Sequence, residues 1–212
     1  MSTADSARPL RADARRNHDR LLEVADAVFA ERGVAATSDE IARAAGVGIG
    51  TVFRHFPTKE ALLTAVYQAR LQRLAARATE LASADDPGAA FFDYFRAVVE
   101  QYGQKAAIAD ALVEAGVDVR AEAGGFRFRD AFEVLLRRAQ EAGAVRRDIG
   151  VPELIALLVG ATRAVEHADT EPVRARTVAI VLDGLRASAR ELAERPSGPA
   201  RELAERPSPP PS

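Results

Sequence analysis

Residues 37–59, TSDEIARAAGVGIGTVFRHFPTK, concentrate the side chains and spacings of this chain that can do chemistry, and what they spell is a short helix presented to the major groove of DNA. Thr37 and Glu40 stand at capping-box spacing, which satisfies free amides at the start of a helix from about Ser38 with Ile41, Ala42 and Ala45 on its apolar side. Gly46 comes next, where a left-handed backbone stops that helix at little cost, and Val47 pins the turn against the core. A second short helix runs from about Ile49 to Phe56 and ends at Pro57, whose ring biases the preceding residue away from helical geometry. Upstream, Arg8, Arg11, Arg15, Arg16 and Arg20 against Asp13 and Asp19 give a basic arm of +3. Such an arm either reaches phosphates or the minor groove, or is simply a solvated N-terminal segment.

Covalent chemistry has far less support. His18, His55 and His167 are far apart and belong to no nucleophile or metal constellation, and Glu166 beside His167 projects about 100° away from it on a helix. Gly46, Gly48 and Gly50 come after a capped helix rather than a strand, which argues against a dinucleotide loop. The chain has no cysteine, so neither a disulfide framework nor a thiolate site is available. No cofactor, no metal and no catalytic residues are expected. Net charge is −2, and residues 1–60 carry nine basic and nine acidic side chains, so support for nucleic-acid binding is local rather than a global field. No apolar run approaches the roughly 20 residues that span a bilayer, and the first residues lack a signal peptide's apolar segment, so a cytoplasmic protein without membrane contact is expected.

The elements that must position this unit are helical. Residues 17–32 place Leu21, Leu22, Ala25, Val28 and Phe29 on one stripe that Gly33 ends, giving the supporting first helix. Thr58 caps a long helix to about Ser83, well beyond what the reader needs, so it must join two bodies. Asp86 and Pro87 open another, and Gly103, Gly116, Gly124 and Gly125 break the adjoining stretch into helices near 105–115 and 127–142. Phe126 and Phe128 alternate like a strand, but the run is short and reads as the lead into a helix. The last two helices span 152–168 and 171–190. The expected fold is all-α, about nine helices: a basic arm at 1–16, a helix-turn-helix domain at 17–57, a helical effector and dimerisation domain at 58–190, and a Pro/Ser-rich tail at 191–212. ARELAERPS at 189–197 recurs at 200–208, and the intervening Pro and Gly favour a disordered tail.

Residues 17 to about 67, above all GVxxGTVFRHFPTKEALLTAVY from Gly46, resemble the tetracycline-repressor-like (TetR) family of transcriptional regulators. The resemblance implies that Ser38 and Thr51 contact phosphates, that Gly48, Ile49, Gly50, Phe53, Arg54 and His55 lie on or beside the groove-facing surface, and that Lys59 pairs with backbone phosphate. Arg16 of the arm joins this set. The chain departs from the family pattern at three places: Gly48 where serine is common, Ile49 where a polar or basic residue is common, and Phe53 where tyrosine is common. These departures imply fewer polar contacts to DNA and modest affinity per half-site. Ile49 either touches a thymine methyl or packs against neighbouring helices.

The resemblance further implies a homodimer on a palindromic operator, responsive to an unknown small-molecule effector, most naturally as a repressor. Phe91, Phe95, Tyr102, Phe126 and Phe128 line a ligand cavity or fill a core, and Arg163 and His167, one turn apart, either point a polar handle into that cavity or face solvent. Ile155, Leu158, Val159, Val178, Val181, Leu182 and Leu185 are candidates for the dimer interface, or for intrachain core. The rival readings are a helical adaptor that binds partners without specific DNA recognition and, last, an enzyme using the C-terminal cavity.

Overall fold

A computed structural model describes residues 7–102, 107–117 and 123–187, with side chains for 16–101, 107–117 and 124–187. These residues form α1 (Ala7–Arg32), α2 (Ser38–Ala45), α3 (Ile49–His55), α4 (Lys59–Leu81), α5 (Pro87–Tyr102), α6 (Ala107–Glu114), α7 (Ala123–Glu141), α8 (Val151–Glu166) and α9 (Glu171–Leu185). The all-α expectation holds, and the only extended pairing among the described residues is a single bridge between Val145 and Arg186. None of these helices is long and apolar enough to cross a membrane. The duplicated tail lies outside the described residues.

Three boundaries differ from those expected. Helix α1 begins at Ala7, so its backbone includes residues expected to form an irregular arm. Alanine, arginine and leucine in this stretch are strong helix formers, and Pro9 falls in the first turn, where amides have no intrahelical acceptor to lose. Helix α7 begins at Ala123 and takes Gly124 and Gly125 inside it. A Cβ on Gly124 would stand 3.4 Å from the Gln68 carbonyl oxygen and 3.4 Å from Leu71 Cβ, so α7 lies close enough along α4 to leave room for a methyl group and nothing larger. Helix α9 stops at Leu185, because Arg186 turns extended and the strip donates from Ala187 N to Ala144 O at 3.1 Å while Leu185 O accepts from Arg146 N at 3.0 Å. Arg186 also lays its guanidinium 4.5 Å over the Phe92 ring.

The described residues gather in two apolar cores. The first gathers Leu21, Ala25 and Phe29 of α1, Ile41 of α2 and Val52 of α3, but it also takes Leu62 and Val66 of α4 and Ile108 and Leu112 of α6. The helix-turn-helix therefore packs on the start of α4 and on α6. The second core is carried by Phe91, Phe95, Phe132, Leu135, Leu154 and Leu182 of α5, α7, α8 and α9. Each fully buried leucine or phenylalanine contributes about 1.5–3 kcal/mol, which makes these helices mutually dependent.

Candidate nucleic-acid interface

Local backbone chemistry sets the geometry of α2 and α3. Thr37 Oγ1 accepts from Glu40 N at 3.3 Å, and Glu40 Oε2 accepts from Thr37 N at 2.8 Å, closing the capping box read in the sequence. The Thr37 amide, then its hydroxyl and the Arg32 guanidinium, hold the Glu40 carboxyl below the ordinary carboxylate range. Gly46 adopts φ 68°, ψ 31°, the left-handed conformation required where α2 must stop and the chain turn at once. Val47 N then donates to Ala42 O at 3.0 Å. Gly48 starts α3 with no side-chain cap, and its carbonyl accepts from Thr51 N at 2.8 Å. Thr58 Oγ1 accepts from Ala61 N at 3.1 Å and starts α4 directly after α3 ends.

Helix α3 is amphipathic by its period of 3.6. Val52 and Phe56 point inward and are buried, while Gly50, Phe53 and Arg54 form the opposite, exposed face; Phe53 leaves 48% of its surface in solvent. Phe53 lies beside Arg54, the exposed arginine of that face, so the helix offers an apolar ring and a cation side by side. Ile49 is half-buried and packs against the first core, which favours the packing reading over the thymine-methyl one. Thr51, His55, Ser38 and Lys59 are half-buried at the rims of this face, and Arg16 is exposed on α1. His18 of α1 packs on His55 and Phe56 with ring centroids 5.7 Å and 5.3 Å apart, fixing the C-terminal end of α3.

Among the described residues, the ligand candidates of the C-terminal body are divided between the core and the surface. Phe91 and Phe95 are fully buried, Phe128 is nearly so, and Phe91 stacks on Phe132 at 6.1 Å: these rings fill the core. Phe126 lies on the outer face of α7, 56% exposed, because the helical register that buries Phe128 turns its neighbour but one outward. The Tyr102 side chain lies outside the described residues. Arg163 and His167 are surface residues: Arg163 bonds Asp110 of α6 and, at 3.0 Å, Glu166, and His167 Nδ1 meets the Arg163 carbonyl at 2.9 Å. The Asp110 carboxylate raises the Arg163 pKa above its ordinary value. Of the expected dimer residues, Leu158, Val178, Leu182 and Leu185 are buried within their own chain, Ile155 and Val181 are partly buried against the same core, and Val159 is exposed. Besides Val159, the exposed apolar side chains of α8 and α9 are Leu157, Val173 and Ile180.

Sequence reading missed an ionic tie between reader and body. Asp26 of α1 accepts from Arg70 Nε at 2.5 Å through one oxygen and from Arg73 through the other at 2.6 Å. Arg70 is only 3% exposed. The signal was present: Asp26 lies four residues after Leu22 and three before Phe29, so a carboxylate interrupts an apolar stripe and needs a buried partner. Helix α6 was also missed as a contributor to the reader, although Ile108 and Leu112 are one turn apart. Among the described residues no group of three His, Asp or Glu side chains is placed to hold a metal ion.

Comparison with known proteins agrees with this geometry. Residues 21–66 match the family model described as bacterial regulatory proteins of the tetR family, and residues 86–187 match a model described as the C-terminal domain of SbtR-like transcriptional regulators. The crystal structure of a TetR transcription regulatory protein from Mycobacterium vanbaalenii is 42% identical, covers 84% of this chain and 100% of that one, and superposes with a TM-score of 0.67. A TetR transcriptional regulator from Streptomyces coelicolor is 34% identical over 81% of this chain and 99% of that one, with a TM-score of 0.66. An HTH-type transcriptional regulator of Staphylococcus aureus is 42% identical over 60 residues, 28% of this chain and 32% of that regulator, so the match spans about a third of the curated relative. The N-terminal match covers the capped α2, the glycine turn and the outward face of α3, and the mycobacterial structure extends the likeness through the helical body. The chain belongs to the TetR family of DNA-binding transcriptional regulators, a non-enzymatic family.

Proposed function

We propose that this regulator is a ligand-responsive repressor that binds a palindromic operator as a homodimer. The observation that carries the DNA contact is the face of α3 that presents Gly50, Phe53 and Arg54 to solvent while Val52 and Phe56 anchor the helix from behind. In the groove Arg54 reaches base edges or phosphate, and Phe53 offers an apolar surface suited to a thymine methyl. Ser38, Thr51 and Lys59 set register on phosphates, with Gly48, Ile49 and His55 shaping the helix ends and Arg16 contributing from α1. Most of these contacts position, and few discriminate sequence.

One such helix covers only a few base pairs, so useful affinity requires two readers at a fixed spacing. Exposed Leu157 on α8 and exposed Val173 and Ile180, seven residues apart on one face of α9, support pairing there, and Gly160 and Gly184 leave open space in which a partner's backbone can approach closely. Two ties then join body to reader. The Asp26–Arg70–Arg73 cluster fixes α4 to α1, and α6 inserts Ile108 and Leu112 into the reader's core while Asp110 holds Arg163 of α8. A ligand that prefers a second packing of the body changes the reader spacing through these ties, and a coupling of about 1–3 kcal/mol suffices for regulation. Because Phe91, Phe95 and Phe132 fill the interior, a ligand entering there must displace the stacked rings.

Selection of bound fragments from genomic DNA, then sedimentation of the protein alone and with the recovered duplex, tests this reading. An inverted repeat with half-sites about one helical turn apart and an even number of protomers per duplex is the expected outcome. Recovery of no common sequence, or binding of single protomers, would overturn it.

A further inference from the structure

A hollow on the body lies outside the aromatic interior. A cleft of about 570 Å³ opens between α4 and α5, with Leu74, Tyr94 and Val98 at its base and Arg73 and Arg77 along the α4 rim. That volume lies within the range of about 300–1,000 Å³ typical of small-molecule sites. The Tyr94 hydroxyl donates to the Leu74 carbonyl at 2.9 Å, so its ring is held in place as part of the floor. Arg73 and Arg77 stand one turn apart and project the same way, while the α5 rim carries one carboxylate, Asp93, and the Gln101 amide. The Arg77 side chain is 62% exposed and that of its partner Glu80 66%, an ion pair of the kind that contributes little and that a ligand anion readily replaces.

We propose that this cleft binds a small amphipathic monoanion, an aromatic or short-chain carboxylate or sulfonate. Its charge sits on Arg73 and Arg77, and its apolar body lies on Leu74, Tyr94 and Val98. Arg73 gives the site its consequence, because the same guanidinium bonds Asp26 Oδ2 of α1 at 2.6 Å. A ligand anion competes with Asp26 for Arg73 and loosens the tie between α4 and the reader. Binding itself is independent of the operator reading; only its effect on DNA rests on that reading.

The test uses the full chain and 8-anilinonaphthalene-1-sulfonate, monitored by fluorescence, with the uncharged N-phenyl-1-naphthylamine as control. The parent should bind the sulfonate saturably and more tightly than the neutral dye. Arg77→Glu, at an exposed position that leaves the fold intact, should weaken the sulfonate by about tenfold or more and leave the neutral dye unchanged. Ala97→Trp, which fills the cleft from α5, should abolish both; if that variant does not fold by circular dichroism, Arg73→Gln with Arg77→Glu decides the matter. Unchanged sulfonate binding in the arginine variants would overturn the site, and equal affinity for the two dyes in the parent would overturn its anion preference. With a selected operator in hand, sulfonate that occupies the cleft should lower duplex affinity in the parent and not in Arg73→Gln. Unaltered duplex affinity would refute the coupling through Arg73 and leave the binding site standing, whereas failure to bind any duplex would refute the operator reading alone.

Discussion

Replacing Asp26 with leucine should be among the most damaging single changes available on the surface between reader and body. The Arg70 side chain is 4% exposed and that of Asp26 13%, and one carboxylate oxygen accepts from Arg70 at 2.5 Å while the other accepts from Arg73 at 2.6 Å. Removing the carboxylate leaves the Arg70 charge in a site where its counter-charge is gone, a change that costs about 3–5 kcal/mol for a buried pair. Arg73 is half exposed and recovers its hydration, so the lower end, about 3 kcal/mol, is expected. In a chain of this size each kcal/mol lowers Tm by about 2–4 °C, which gives a fall of about 6–12 °C by circular dichroism. Adding Arg70→Met to the same chain removes the stranded charge and should restore all but about 1 kcal/mol, because an apolar replacement of a buried ion pair is often neutral. The double-mutant cycle isolates the pairwise coupling. A single variant that melts within about 2 °C of the parent, or a double variant no more stable than the single, would refute the reasoning.

The other perturbations act on single elements. Gly46→Ala forces a Cβ into φ 68° and should cost about 1–2 kcal/mol in thermal melts, with Gly50→Ala, in ordinary helical backbone, as the neutral or stabilising control. At Gly124 alanine should be close to neutral and valine should cost about 1–3 kcal/mol, because a branched side chain pushes α7 off Gln68 and Leu71. The Glu40 carboxyl titrates lower in the folded chain than in the unfolded one, so what it contributes is present above the unfolded value of about 4.3 and disappears as pH falls through the folded value. Glu40→Gln should therefore be less stable than the parent at neutral pH, and the two chains should converge in acid; a gap that persists at low pH would place the effect elsewhere.

The helix-turn-helix was readable because every signal in it is local. Thr37 caps through a residue three positions on, Gly46 supplies a left-handed backbone at the residue that needs it, and Thr58 does for α4 what Thr37 does for α2. The features that escaped reading depend on residues far along the chain. Gly124 and Gly125 look like breaks, yet α7 runs through both and Gly124 lies against Gln68 and Leu71 of α4. The end of α9 is set by a bridge to Val145, which no periodicity within α9 encodes. The apolar positions of α8 and α9 offered two faces, and the chain buries Leu158, Val178, Leu182 and Leu185 in itself while leaving Leu157, Val159, Val173 and Ile180 outside. Likewise the aromatic residues of α5 and α7 were open to either a cavity or a core, and ring-to-ring packing of Phe91, Phe128 and Phe132 makes them core.

Entry of the outward face of α3 into the major groove of duplex DNA is tested most sharply by titrating a selected operator with the parent and with Arg54→Ala over a range of salt concentrations. Arg54 is exposed beside Phe53, and its loss leaves the α3 anchors Val52 and Phe56 untouched. Arg54→Ala should bind about tenfold or more weakly, and if Arg54 meets phosphate the salt slope should become shallower by about one. Affinity and slope both equal to those of the parent, in a variant that melts as the parent does, would show that this face stays out of the groove.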